Sequence, residues 1–179
     1  MTPVRRLSFA GAGVIAGGAI VAVGTRLAWA TVTPKPSPVS VPGIPRVVIA
    51  GGKLSLDAPS LGAGYLFGLG ILIALVPLGW LVVGPQARVV LGILAVGVAG
   101  VIFWQAAATR GELVQRSRAF ARREITQRGV SLHIESGPGI PVTAAGAAVA
   151  ALAAIAGASA GRQIPRLGLP ERPDKGAAA

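Results

Sequence analysis

Long stretches without a charged residue alternate with short polar segments along this chain. The charge-free runs cover residues 7–25, 58–87, 89–109 and 136–161. A membrane core about 30 Å thick is crossed by a helix of about 20 apolar residues. The pattern therefore predicts four transmembrane helices, of which the second and third form a tight hairpin. Their boundaries are 7–28, 61–84, 86–108 and 140–160.

Two of the polar segments carry the pattern typical of β-strands. Residues 46–56 hold two β-prone runs around Gly51-Gly52, which predicts a hairpin within the loop at 31–60. Residues 130–135 alternate between apolar and polar side chains, which predicts a strand. Both segments follow helices that end on the same side of the membrane. We therefore expect them to pair into a small sheet that caps the bundle.

The connection at 109–139 begins with the most charged part of the chain. Residues 110–128 gather apolar side chains within an arc of about 140° on a helical wheel, which predicts a separate basic amphipathic helix. Those apolar residues are Leu113, Val114, Phe120, Ala121 and Ile125. Such a helix lies flat on a bilayer, so anionic lipid headgroups are the expected partners of the arginines on its other face. These arginines are Arg116, Arg118, Arg122 and Arg123.

The predicted fold class is an all-α integral membrane protein: a four-helix transmembrane bundle with a small extracytoplasmic β-sheet and the basic helix. One domain covers residues 1–179, and residues 161–179 form its tail. Small residues predict close helix packing, within the bundle or in a homo-oligomer. They are Gly13 with Gly17, Gly64 with Gly68, and Gly146, Ala150 and Ala154. Aromatic belts are predicted from Trp29, Tyr65 and Trp104 at one membrane surface and Trp80 at the other.

The orientation follows from the first helix and its flanks. Arg5-Arg6 directly precede this helix, which predicts that the N- and C-termini lie on the cytoplasmic side of the cell membrane. The charge count favours the opposite orientation, because ten of the 17 Lys and Arg residues lie outside when the N-terminus is inside. A small-x-small motif ending at Ala30 resembles a signal-peptide cleavage site. We favour a retained helix, because the apolar run is long for a signal peptide and Arg26 interrupts it.

Composition supports the membrane assignment. The 179 residues are 53% hydrophobic and only 13% charged, whereas a soluble domain carries about 25% charged residues. The net charge of +11 has no nucleic-acid-binding motif beside it, so we expect lipid rather than nucleic acid as its partner. The chain has no cysteine, which excludes disulfides and thiol chemistry.

Residues able to carry out catalysis are sparse. His133, the only histidine, shares a predicted strand face with Glu135, but two ligands rarely suffice to hold a metal. The acidic residues all fall outside the predicted transmembrane helices, so no carboxylate lies within the membrane to relay protons. They are Asp57, Glu112, Glu124, Glu135, Glu171 and Asp174. We therefore predict no catalytic, cofactor-binding or metal-binding residues, and no enzyme.

Short motifs spread over most of the chain carry a resemblance to a known family. They are Trp29–Thr33, Pro45–Gly51 with Leu56 and Pro59, Arg88–Gly92, and Arg162–Gly168. On these motifs the chain resembles the tryptophan-associated transmembrane protein family of actinobacteria. The resemblance implies a small four-helix membrane protein encoded beside tryptophan biosynthesis genes. That family has no assigned activity, so the resemblance implies no functional residues.

Two functions fit these predictions. The favoured one is a non-catalytic accessory or scaffold protein, because small residues predict helix contacts while no helix carries a charged residue in its core. The alternative is a component of a small-molecule or amino-acid transporter. Pro77 would kink the second helix, and a kink of this kind can mark a transport gate.

Overall fold

A computed structural model describes residues 3–36, 53–124 and 130–161 of the chain. The elements follow the order α1, β1, β2, α2, α3, β3, α4. The helices are α1 (Pro3–Arg26), α2 (Tyr65–Val82), α3 (Pro85–Glu124) and α4 (Gly139–Gly161). The strands are β1 (Ala30–Pro36), β2 (Leu54–Leu56) and β3 (Val130–Ser136). All four of these helices are long and apolar enough to cross a membrane. The predicted class of a helical bundle with a small sheet is confirmed at that level.

Helix α1 lies between α2 and α4, and α3 packs on the other side of α4. Helices α2 and α3 are neighbours in sequence but share a much smaller interface than α1 and α4, which share the largest among the described helices. The interior is lined by small and β-branched side chains, among them Val14, Val21, Ala150 and Ala154, all fully buried or nearly so. The first and last of the described helices therefore form the centre of the bundle.

Glycines on α1 allow α4 to approach closely. A Cβ atom added at Gly17 would lie 2.5 Å from the backbone nitrogen of Ala150, and one at Gly13 would lie 2.8 Å from the Cβ of Ala153. Helix α4 contributes Gly146, where an added Cβ would lie 2.7 Å from the backbone nitrogen of Val21. The predicted packing through Gly13 and Gly17 on α1 and through small residues on α4 is confirmed.

A second glycine face of α1 contacts α2. A Cβ atom added at Gly18 would lie 2.6 Å from the carbonyl oxygen of Gly70 and 2.9 Å from the Cβ of Ala74. About two turns before Gly18, a Cβ atom added at Gly11 would lie 3.5 Å from the Cβ of Pro77. Pro77 is buried in this interface. Small residues on two sides of α1 thus let one helix pack closely against two others.

The three strands form an antiparallel sheet in the order β2-β1-β3 at the end of the bundle where α1 ends and α4 begins. Ala30 pairs with Leu56 on one side and with Ser136 on the other. The strands at Leu54–Leu56 and Val130–Ser136 confirm two predicted strands, but the expectation that they pair with each other is wrong. Both pair instead with β1, which lies in the segment interpreted as a connecting loop. The first half of the predicted hairpin lies outside the described residues.

Two prolines stand in the central strand. Pro34 and Pro36 pair with Leu132 and Val130 of β3. The pairing of β1 with β2 ends at Val32, so beyond this point one side of β1 has no partner among the described residues. Proline lacks a backbone N–H and is tolerated where a strand has an open side. This geometry explains how a proline-rich segment enters a sheet.

Helix α3 continues without a break from Pro85 to Glu124, over 40 residues. The prediction of a separate basic helix over residues 110–128 is therefore wrong, because the basic segment as far as Glu124 continues α3. At about 1.5 Å per residue α3 is about 60 Å long, roughly twice a bilayer core. Its second half contacts the sheet, and Leu113 and Ser117 are buried there.

Candidate functional surfaces

The junction between α1, the sheet and α4 is built around Trp29. Its side chain is fully buried, and its indole N–H donates to the carbonyl oxygen of Gly24 at 2.9 Å. The backbone N–H of Trp29 donates to Leu56, and its carbonyl accepts from Gly137 at 2.8 Å. A Cβ at Gly139 would overlap the indole ring. Trp29 therefore packs inside the protein, and its predicted place in an aromatic belt is wrong.

Of the other three aromatic residues that were predicted to lie in belts, one is buried and two are exposed. Trp80 is buried against α4, where a Cβ at Gly157 would overlap its ring, so its predicted place in a belt is also wrong. Its indole N–H has no partner among the described residues. Tyr65 is half exposed and Trp104 is 71% exposed. These two side chains fit a membrane-interface position.

The end of α3 from residue 110 to Glu124, here called the α3 extension, carries the arginines that were predicted to contact lipid headgroups. Arg116 is already engaged: its guanidinium contacts Glu112 at 2.8 Å and donates to the carbonyl oxygen of Leu61 at 3.2 Å. This second bond ties α3 to the loop that leads into α2. The side chains of Arg118, Arg122 and Arg123 lie outside the described part of the structure, so their contact with lipid stays a prediction.

Arg88 closes the turn between α2 and α3. Its Nε donates to the carbonyl oxygens of Trp80 at 2.9 Å and of Val83 at 3.1 Å. The last carbonyls of a helix lack partners within that helix, so a positive side chain here satisfies them and also faces the negative end of the helix dipole. Sequence analysis did not predict this role for Arg88.

Asp57 organises the turn between β2 and α2. Its Oδ1 accepts from the Ser60 hydroxyl at 2.7 Å and from the Ser60 backbone N–H at 3.1 Å. Burial raises the pKa of the Asp57 carboxyl, but the bonds from Ser60 and the charge of Arg26 together outweigh it and leave this pKa below its ordinary value. Arg26 also lies over the Phe67 ring, 4.8 Å from its centroid. The turn therefore links the ends of α1 and α2.

The outer face of the sheet carries the single histidine. His133 Nε2 lies 3.2 Å from Glu135 Oε1, and both side chains are exposed. Within residues 3–36, 53–124 and 130–161, no group of three or more His, Cys, Asp or Glu residues is placed to hold a metal ion. The predicted proximity of His133 and Glu135 is confirmed, and the pair lies in open solvent on the sheet.

Some glycines have no packing partner. A Cβ atom added at Gly68, Gly97 or Gly100 would meet nothing within 4 Å. Gly64 contacts only Pro59 of the preceding loop, at 3.3 Å. The Gly64–Gly68 pair therefore contacts no other helix among the described residues. Gly97 and Gly100 are exposed on the apolar part of α3, and no described residue covers them.

A cleft of about 460 Å³ lies between the first part of α1 and the last part of α4. Its lining comes from both helices: Arg6, Phe9, Ala10, Ala153, Ala156, Ser159 and Ala160. It ends next to Gly13 and Ala153, where the two helices come into direct contact. Sequence reasoning did not find this cleft, because its walls are ordinary alanines and a phenylalanine.

No known protein family, no curated protein and no solved structure matches this chain. The structure does show what the motifs behind the family resemblance do. Trp29–Thr33 form the junction and the central strand, Leu56 pairs with Ala30, and Arg88 closes the α2–α3 turn. These motif residues lie at structural junctions of the fold. The motifs at Pro45–Gly51 and Arg162–Gly168 lie outside the described residues.

Proposed function

We propose that this chain is a multi-pass protein of the cell membrane with a non-catalytic accessory or scaffold role, and that it binds another membrane helix through α3. The observation that carries the scaffold role is the uncovered face at Gly97 and Gly100. Glycine within a membrane helix is favoured where another helix approaches its backbone. The glycines of α1 have such a neighbour within the chain, whereas those at 97 and 100 have none among the described residues.

The exterior of the bundle supports membrane insertion. Large apolar side chains lie exposed on the outside of every helix, including Phe9, Leu81, Trp104 and Leu152. In water, contiguous apolar surface of this kind leads to association, whereas the hydrocarbon core of a bilayer covers it. The charged side chains with described positions lie at the helix ends, on the α3 extension or in the sheet and its loops.

Insertion and orientation can be mapped by cysteine labelling, because the natural chain contains no cysteine. Ser55 on the sheet and Gln86 at the α2–α3 turn are both exposed and lie at opposite ends of α2. We expect an impermeant maleimide to label S55C in intact cells and Q86C only after permeabilisation. The reverse pattern would overturn the orientation. Release of the chain by alkaline carbonate would overturn membrane insertion.

The scaffold role can be tested by crosslinking in cells. A photoreactive phenylalanine at position 97 should give a discrete protein adduct, while the same residue at position 72 should not. Leu72 is an exposed residue of α2 and serves as the matched control. No adduct at position 97, or equal adducts at both positions, would contradict the proposal. Altered amino-acid uptake in a deletion strain would instead support the transporter alternative.

A link to tryptophan biosynthesis is the part of this proposal that rests on the motif resemblance. It predicts that deletion of the gene changes growth without added tryptophan, and that the adduct at position 97 contains a protein encoded nearby. Normal growth together with an adduct from an unrelated protein would separate the scaffold role from tryptophan metabolism.

A further inference from the structure

We propose that the cleft between α1 and α4 binds one anionic phospholipid, with its phosphate on Arg6 and the upper part of an acyl chain between Phe9 and Ala156. This inference requires the membrane insertion proposed above, but it does not depend on the scaffold role. It differs from the headgroup contacts predicted for the α3 extension, which lies at the other end of the bundle.

The depth of the cleft in the membrane fits a lipid. Arg6 and Arg26 are 20 residues apart on α1, which corresponds to about 30 Å, the thickness of the bilayer core. Arg6 therefore lies at the depth of the headgroups. The α4 wall runs from Ala160 to Ala153, about 10 Å along the helix axis, so the cleft extends from the headgroups into the acyl region.

The chemistry of the cleft changes along this depth. Arg6 stands at the outer end and makes no hydrogen bond or ion pair with any described residue. Its guanidinium can therefore bind two phosphate oxygens at once. Deeper in the cleft the lining is Phe9 and alanine, which suits a hydrocarbon chain. The hydroxyl of Ser159 donates its proton to the carbonyl oxygen of Ala156 at 2.8 Å. Arg6 is the charged residue of the cleft lining.

Charge favours an anionic lipid over other occupants. The acidic side chains with described positions, Asp57, Glu112 and Glu135, belong to the opposite end of the bundle. The chain beyond Gly161 is itself net positive, with four basic residues against Glu171 and Asp174. An anion near Arg5 and Arg6 therefore meets no opposing charge among the described residues. The volume of about 460 Å³ falls within the usual range for a small-molecule site.

Lipid binding can be measured by native mass spectrometry of the full chain purified in mild detergent. We expect phosphatidylglycerol to bind about tenfold more tightly than phosphatidylcholine with the same acyl chains. R6Q should weaken phosphatidylglycerol binding about tenfold. R5Q changes a neighbouring exposed arginine outside the cleft lining, and its affinity for phosphatidylglycerol should stay within about twofold of the wild-type value.

A second pair of variants tests the apolar part of the cleft. A156L places a larger side chain in the cleft from an exposed position and should weaken phosphatidylglycerol binding about tenfold. A148L, at an exposed α4 alanine outside the cleft, should leave the affinity within about twofold. Because A156L keeps both arginines, it tests the site even where R6Q fails to insert.

Several outcomes would overturn the site. Equal binding of the two lipids, equal losses in R5Q and R6Q, or unchanged affinity in A156L would each show diffuse surface attraction instead of a cleft. Lipid binding that appears only after removal of residues 162–179 would assign the cleft to the chain's own tail. In contrast, release of the chain by alkaline carbonate would refute membrane insertion itself.

Discussion

The α1–α4 pair and the α2–α3 pair use opposite means to hold helices in one bundle. Helices α1 and α4 stand at the two ends of the described chain, yet glycine and alanine bring their backbones into contact. Helices α2 and α3 are joined by a tight turn, carry larger apolar side chains and share little surface. Their exposed leucines and valines suit contact with lipid.

The difference separates insertion from packing. A helix rich in leucine, isoleucine and valine enters the bilayer on its own, and it needs few protein contacts to stay there. Helix α4 is rich in alanine, which contributes little to insertion, but small side chains permit close van der Waals packing with α1. In this chain α4 is less apolar than α2 and α3, yet the largest share of its apolar span is buried inside the protein.

The largest expected effect tests the α1–α4 junction against α3. W29A removes a fully buried indole and its bond to Gly24, and should lower the free energy of unfolding by about 3–5 kcal/mol. W104A removes an exposed indole from α3 and should change it by less than about 1 kcal/mol. Equilibrium unfolding in mixed micelles measures both. Similar losses in the two variants would break the comparison.

A single methyl group gives the next largest contrast. G17A places a Cβ atom 2.5 Å from the Ala150 backbone and should cost about 1–3 kcal/mol of unfolding free energy. G97A adds the same atom in open space, where alanine also favours the helix, so its effect should be neutral or stabilising. The same unfolding measurement decides. A destabilised G97A would show that α3 is covered by a contact within the chain.

The α2–α3 turn should depend on Arg88 more than on helix packing. R88Q removes the charged donor to Trp80 and Val83, and we expect a loss of about 1 kcal/mol with faster hydrogen exchange at the turn. R110Q is the control, since Arg110 is exposed and bonds to no described residue. Unchanged exchange in R88Q would mean that helix contacts alone hold the turn.

The smallest expected effect depends on pH at the entry to α2. Because the folded state lowers the pKa of Asp57, its stabilising effect is complete above the ordinary value of about 4 and disappears as pH falls through the lower folded value. D57N keeps a capping oxygen but does not titrate. On acidification, the unfolding free energy of the wild type should therefore fall by less than about 1 kcal/mol relative to that of D57N. A constant difference across pH would refute this role for the carboxylate.

Much of the fold could be predicted because lipid imposes a simple rule on sequence. A charged residue is costly in the bilayer core, so charge-free runs predict membrane-spanning helices. Each of the four predicted ranges overlaps one observed helix. The alternation in Val130–Glu135 also identified β3 correctly, since a half-buried strand exposes every second residue. The close α1–α4 packing could be anticipated from Gly13 and Gly17.

Other features depend on partners that local patterns do not reveal. The Gly64–Gly68 pair has the same spacing as Gly13–Gly17 but meets no helix. The charged segment after Arg110 continues α3 because arginine, glutamine, glutamate and alanine all favour helix, and charge alone does not end one. The cleft at Arg6 depends on how two helices far apart in sequence meet, so no local pattern predicted it.

The pairing of the first helix with the last has a consequence for biogenesis. Gly17 meets Ala150, which is synthesised about 130 residues later. At ~5–20 residues per second, a ribosome needs roughly 6–26 s to reach it. In the proposed membrane location, the groove of nascent α1 that receives α4 is exposed to lipid during that interval. Assembly of the bundle is therefore completed only after α4 has left the ribosome.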